Sequence, residues 1–243
     1  EEGGEGGVRP EDVVLTCGAT AAVETVLMAL CDGDGGDCFV LPAPTYPAFF
    51  LDSARGGVAL VTTEAESRIT RGALEEAAAR AEAQGMRVRG VLLCSPCNPT
   101  GRVHSADEVR AVTDFVLAGR SHDGSGDGTS TGDGGGADAT NGMHLVWDAV
   151  YAGTAYDEAA AAAAAPDVRG DPRLRARVHT VWGISKDFGL SGWRVGACHT
   201  RNERLLEALR AQARWASASR LTQAAVTAML ADTARVKRML RAG

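Results

Sequence analysis

Residues 182–196 read WGISKDFGLSGWRVG, which sets one lysine, Lys186, among glycines, serines and apolar residues, with Arg194 eight positions later. A primary amine in such a setting can attack a carbonyl or move a proton; taken singly, a lysine is more often a solvated surface residue. Other stretches carry their chemistry behind apolar runs. Cys17-Gly18-Ala19-Thr20 opens a helical pattern with small residues and a hydroxyl. That suits a phosphate held by free N–H groups and the helix dipole, and equally suits a plain helix start. Pro42-Ala43-Pro44-Thr45-Tyr46-Pro47 holds a tyrosine between prolines, either as a packed loop aromatic or as a face for a flat ring. Asn98-Pro99-Thr100-Gly101 is turn chemistry in any protein. Asp148-Ala149-Val150-Tyr151 places a carboxylate directly after an apolar run, where a half-buried charge needs a cationic partner.

The elements that must position these residues alternate between helix and strand patterns. Apolar spacing predicts a helix over Ala19–Cys31, then strands at Asp37–Leu41 and Val58–Thr62. An alanine-rich helix follows over Thr70–Ala83, with Thr70 as its cap, and then a strand at Arg89–Cys94. Ser105 caps a helix over Ala106–Leu117. Met143–Trp147, Val178–Trp182 and Val195–His199 read as strands, and Asn202–Trp215 and Leu221–Leu240 as helices. Apolar strands alternating with helices imply an α/β fold, a mostly parallel sheet sandwiched by helices. Sites in such sheets lie at the carboxyl ends of the strands, where the residues above fall. Two stretches interrupt the alternation. Residues 121–142 are glycine, serine and aspartate with almost no apolar residue, as expected of a disordered surface insertion rather than a calcium or phosphate loop. Ala159–Ala165 is a low-complexity alanine run, compatible with a helix and without chemistry of its own.

Composition narrows the function classes. The chain is 45% hydrophobic and 23% charged, enough to build a sizeable core. A net charge of −6, with no compensating basic face, argues against nucleic-acid binding. No apolar run approaches a membrane span, and the acidic, glycine-rich start is unlike a signal peptide. The six cysteines show no disulfide-scaffold spacing. Cys94-Ser-Pro-Cys97 has the CxxC form but no partnering pair for zinc, so buried, reduced thiols in a cytoplasmic protein are the expectation. The absence of an initiator methionine and an end inside a helical pattern suggest a segment of a longer protein.

Pyridoxal phosphate accounts for all five places: an aldehyde for a lysine, a ring nitrogen for a carboxylate, a phenolic oxygen for donors and a phosphate for an arginine. Gly183-Ile184-Ser185-Lys186, then Gly189, then Arg194-Val195-Gly196 resembles the lysine signature of the class I/II aminotransferases, fold-type I pyridoxal-phosphate enzymes. The Asn98 motif, the Asp148/Tyr151 pair and the stretch from Gly18 to Tyr46 match in the same order. Ser185–Gly196, Tyr151–Thr154 and Leu221-Thr222-Gln223 most resemble the 1-aminocyclopropane-1-carboxylate synthase-like branch.

The resemblance implies that Lys186 holds the cofactor as a Schiff base and moves the substrate's α-proton. Asp148 would pair with the pyridine nitrogen. Asn98 and Tyr151 would bond the phenolic oxygen, Tyr46 would stack on the ring, and Arg194 with Ala19 and Thr20 would bind the phosphate. Many members place a phosphate-binding serine where Gly183 stands, so one contact is missing or supplied elsewhere. It further implies a large cofactor-binding domain over residues 8–243, with the small carboxyl-terminal domain and its substrate-binding arginine largely absent. The full-length form would be a homodimer. The expected activity is amino-group transfer from an amino acid to a 2-oxo acid; the alternatives are a cyclopropane-forming lyase on S-adenosylmethionine or an inactive cofactor-binding fragment.

Overall fold

A computed structural model describes residues 7–64, 68–119, 142–168 and 170–242. The alternation of patterns becomes β1 (Val13–Thr16), α1 (Gly18–Leu30), β2 (Asp37–Leu41), α2 (Phe49–Ala54), β3 (Ala59–Thr62), α3 (Arg71–Glu82), β4 (Arg87–Cys94) and α4 (Ala106–Ala118). Then follow β5 (His144–Asp148), α5 (Glu158–Ala163), β6 (Val178–Gly183), α6 (Ile184–Asp187), β7 (Gly196–His199), α7 (Glu203–Ala216), α8 (Arg220–Ala231) and α9 (Thr233–Ala242). The expected caps are present. Thr70 accepts from Ala73 N–H, and Ser105 with Glu108 forms a reciprocal capping box at the start of α4.

These strands build a seven-stranded sheet in the order β1-β7-β6-β5-β4-β2-β3. β2 to β6 run parallel, while β7 is antiparallel to both β6 and β1. The reversal of β7 matters for the site. Its amino end lies at the same sheet edge as the carboxyl ends of β1 and β6, with Gly196 in register with both Thr16 and Gly183. Arg194, just before β7, therefore arrives beside the start of α1. β2, β4, β5 and β6 are buried along nearly all their length because both sheet faces are covered. On one face Leu74, Val112, Phe115 and Leu145 belong to a core built with α3 and α4. On the other, Val26, Leu27, Phe39, Val146, Val181 and Leu209 pack under α1 and α7.

The structure departs from the expectations in three places. The helix expected over Leu221–Leu240 is two, because Asp232 ends α8 and its carboxylate accepts from Arg235 N–H at 2.9 Å to start α9. α2 follows a proline-rich loop and carries no periodic apolar signal long enough to predict. The alanine run, whose sequence allows a helix, forms α5 as expected, capped by Asp157, which accepts from Ala160 N–H at 2.8 Å. Not all thiols are buried: all six cysteines are free, but Cys17 is exposed and Cys31 partly so. The insertion expected over 121–142 lies outside the described residues, apart from Gly142. Among the described residues, no helix is long and apolar enough to cross a membrane.

Candidate active site

At the shared sheet edge the loops line a cavity of about 150 Å³, partly open to solvent. Lys186, Asp148, Tyr151, Tyr46, Ala19, Thr20 and Arg194, all expected from the sequence, line it. Asn98 is not on its wall but reaches it indirectly, donating from Nδ2 to the Tyr151 hydroxyl at 3.1 Å. The Lys186 ammonium lies 5.4 Å from the centroid of the Tyr151 ring.

At the floor, Asp148 ends β5 and is only 5% exposed. It accepts from Val150 N–H at 3.1 Å and has the Cys94 thiol beside it, but among the described residues no cation pairs with it. Burial pushes its carboxyl up to about 6 against these hydrogen bonds, with Asp52 adding to the rise. Among the described residues no cation is within ion-pair distance of this carboxylate; Lys186, across the cavity it faces, opposes the rise only weakly as a distant charge.

At the far end, α1 begins with an N-cap, Cys17, that makes no side-chain bond, and its first turn contains no acidic residue. Its leading N–H groups are therefore available to an anion. Arg194 stands over them. Among the described residues it is the single non-glycine residue with positive φ (φ 50°, ψ 56°), a left-handed conformation that costs about 1 kcal/mol. Its guanidinium donates to Ser191 O at 3.2 Å and Cys17 O at 3.4 Å. A side chain at Gly18 (φ 82°) would collide with that guanidinium, and one at Gly196 with the Gly18 backbone, so both glycines are needed for the approach. Gly183 faces the same point. A Cβ there would lie 3.2 Å from Val195 O and 3.6 Å from Ala19 N, so the serine absent here would have addressed the α1 terminus. Thr20, Ser185 and Ser191 are the hydroxyl-bearing residues that do line the cavity.

Tyr46 edges onto Phe49 (centroids 5.4 Å apart, planes at 87°) and shows its ring at the mouth. Phe49, Asp52, Val23, Cys94 and Ser191 complete the wall. Phe49 and Asp52 belong to the unpredicted α2, Val23 falls inside the expected first helix, and Cys94 stands out in the sequence only as part of the CxxC form and as an expected buried thiol.

The loop carrying Asn98 is anchored by Glu108. Its carboxylate accepts from Ile69 N–H (2.8 Å), Ser105 N–H (2.9 Å) and Arg102 Nη1 (2.8 and 2.9 Å). Burial alone would raise its pKa, but these hydrogen bonds outweigh it and hold the group at about 2, against 4.5 ordinarily. The bound, ionised form therefore contributes about 3 kcal/mol above pH 4.5, lost as pH falls from 4.5 towards 2. Glu108→Ala is expected to lower unfolding free energy at pH 7 by a similar amount, about 3 kcal/mol, measured by denaturant titration. A loss under about 0.5 kcal/mol would show that the anchor carries little.

These features fit pyridoxal phosphate. A buried carboxylate without an ion pair matches a protonated ring nitrogen, a helix amino terminus with an arginine matches a phosphate, and a lysine amine beside a tyrosine lines the same cavity. The sequence model of aminotransferase class I and II matches residues 6–122 and 137–242. Among curated proteins, the chain is 34% identical over 234 residues to 1-aminocyclopropane-1-carboxylate synthase 1 of Oryza sativa subsp. indica, covering 92% of this chain and 43% of that protein. It is 32% identical over 233 residues to a 1-aminocyclopropane-1-carboxylate synthase of Malus domestica, covering 92% and 44%. The chain thus spans under half the length of these relatives. Its fold is that of solved aminotransferases. The aspartate aminotransferase of Rhizobium meliloti superposes with a TM-score of 0.72 at 22% identity, over 97% of this chain and 52% of that one. N-succinyldiaminopimelate aminotransferase of Mycobacterium tuberculosis gives 0.72 at 24%, over 97% and 54%. The chain belongs to the aminotransferase class I and II family, whose cofactor is pyridoxal phosphate.

Proposed function

We propose that residues 8–243 form the cofactor-binding large domain of an enzyme that transfers the amino group of an amino acid to a 2-oxo acid. The observation that carries this is one cavity holding the Lys186 amine, the buried Asp148 carboxyl and the Arg194–α1 anion cradle. Bound pyridoxal phosphate supplies an electron sink that lowers the cost of breaking a bond at the substrate's α-carbon. Arg194 and the N–H groups at Ala19 and Thr20 hold the phosphate, and Asp148 keeps a proton on the ring nitrogen. Tyr46 covers the ring at the cavity mouth. Tyr151, oriented by Asn98, donates to the phenolic oxygen. Lys186 provides the amine that retains the cofactor and then takes and returns the α-proton. On this reading the protein is cytoplasmic and works as a homodimer, in keeping with its family and its free thiols.

A lyase acting on S-adenosylmethionine is the second reading, favoured by the names of the curated relatives. Purified protein is expected to absorb in the visible and lose that band on borohydride treatment. Incubation with an amino acid and a 2-oxo acid should exchange the amino group, and incubation with S-adenosylmethionine should release no methylthioadenosine. Release without exchange would favour the lyase, and a folded protein that never acquires the band would overturn both.

A further inference from the structure

Lys186 sits on α6, a single turn of four residues whose N-cap, Gly183, contributes no side-chain bond. A helix this short has no stability of its own. Ile184, fully buried, pins one side of it. The next residue, Asp187, holds the other. Its Oδ2 accepts from the Trp182 indole N–H at 2.7 Å, and its Oδ1 accepts from Gly153 N–H at 3.1 Å. Trp182 is in β6, the strand that delivers α6. Gly153 is in the 3-10 turn Ala152–Thr154, whose N-cap is Tyr151. That turn is closed on the tyrosine's own carbonyl, which accepts from Thr154 N–H at 3.0 Å and from its hydroxyl at 2.8 Å. A Cβ at Gly153 would lie 2.7 Å from Asp187 Cγ, so only glycine permits this approach.

We propose that Asp187 is a positioning residue that fixes the Lys186 amine against the Tyr151 ring and hydroxyl, by tying the lysine's one-turn helix to the tyrosine's turn. Its neighbours in sequence and space make it more than a surface carboxylate. It adjoins the lysine, bonds two segments 34 and 5 residues away, and is half-buried, which pushes its carboxyl up against the bonds from Trp182 and Gly153. Neither contact reaches the cavity wall, so the effect passes through Lys186 and Tyr151 rather than through any ligand. The inference rests on the proposed cofactor role of those two residues.

The test is the pH titration of the borohydride-sensitive absorption band in purified protein, with pyridoxal phosphate affinity and thermal unfolding measured in parallel. Asp187→Ala is expected to keep the fold and still trap cofactor on Lys186. It should move the titration midpoint upward by about one pH unit, a tenfold change, because the Tyr151 hydroxyl no longer reliably donates to the negatively charged phenolic oxygen. Asp187→Asn retains one acceptor oxygen and should recover part of that displacement. A purely structural role would lower the melting temperature and leave the midpoint in place. A midpoint within about 0.2 pH units of wild type in a folded Asp187→Ala protein overturns the proposal. Should that variant not fold, Gly153→Ala displaces the same carboxylate without removing it, and an unmoved midpoint there is equally fatal. Absence of the band in the wild type would instead refute the cofactor reading itself.

Discussion

Replacing Lys186 with alanine is expected to remove the borohydride-sensitive absorption and to lower turnover at least about a thousandfold, with the thermal midpoint nearly unchanged. The size follows from the absence of a substitute. The chain contains two lysines, Lys186 and Lys237, and the second is on α9, away from the cavity lining. The other 23 basic residues are arginines, whose guanidinium stays protonated and is not a nucleophile. Lys186→Arg should therefore be as inert as Lys186→Ala. The small stability effect follows from the side chain's exposure and from the lack, among the described residues, of any ion pair to its ammonium. Peptide mapping after borohydride reduction of the wild type should place the adduct on Lys186. An adduct on Lys237, or a band that survives in Lys186→Ala, would sink the assignment.

Acid should destabilise the cofactor-free protein above the pH range in which ordinary carboxylates titrate. His144 in β5 and His179 in β6 are both fully buried, with His144 Nδ1 and His179 Nε2 2.9 Å apart and His179 Nδ1 2.7 Å from Thr200 Oγ1. Burial, then Arg177 and Arg89, lowers His144 to about 3, and burial with His144 and His199 nearby lowers His179 well below its ordinary 6.5. The unfolded chain binds these protons and the native state does not, so stability is full above pH 6.5 and falls as pH drops below it. At pH 5.5 the two rings together cost about 3 kcal/mol. Asp148 works in the opposite sense. Its carboxyl is raised from 3.8 to about 6, so protonation relieves a buried charge and returns about 1 kcal/mol at the same pH. The expected net loss between pH 7.5 and 5.5 is about 2 kcal/mol, and Asp148→Asn should steepen it to about 3. Denaturant unfolding at the two pH values measures both, and a flat or rising profile would contradict the neutral buried pair.

Much of the site was legible because each strand delivers its chemistry within a few residues of its end. Asp148 closes β5 and Tyr151 is three residues on; Lys186 is three residues past β6; Asn98 is four past β4. Local sequence is enough to see an apolar run followed by a polar cluster, and family order then links the clusters. What stayed hidden depends on distant partners. Glu108 reads as the third residue of a capping box, yet it also binds Ile69 N–H across 39 residues. His144 and His179 each read as one polar residue in an apolar strand, and only strand pairing makes them a hydrogen-bonded pair 35 residues apart. Asp187 reads as the polar residue after a lysine, with nothing nearby to announce Gly153.

The sequence by itself determined the α/β class and the family and pointed to residues that line the cavity, since these rest on periodicity and on short contiguous motifs. Tertiary structure alone decided how they meet. The reversal of β7 brings Arg194 to the amino end of α1, and three glycines, at 18, 183 and 196, let three chain segments converge there. It also decided that Asp148 is buried with no cation at ion-pair distance among the described residues, Lys186 acting on it only weakly from further off, because burial and charge compensation are properties of the whole packed surround. No window of sequence contains that surround.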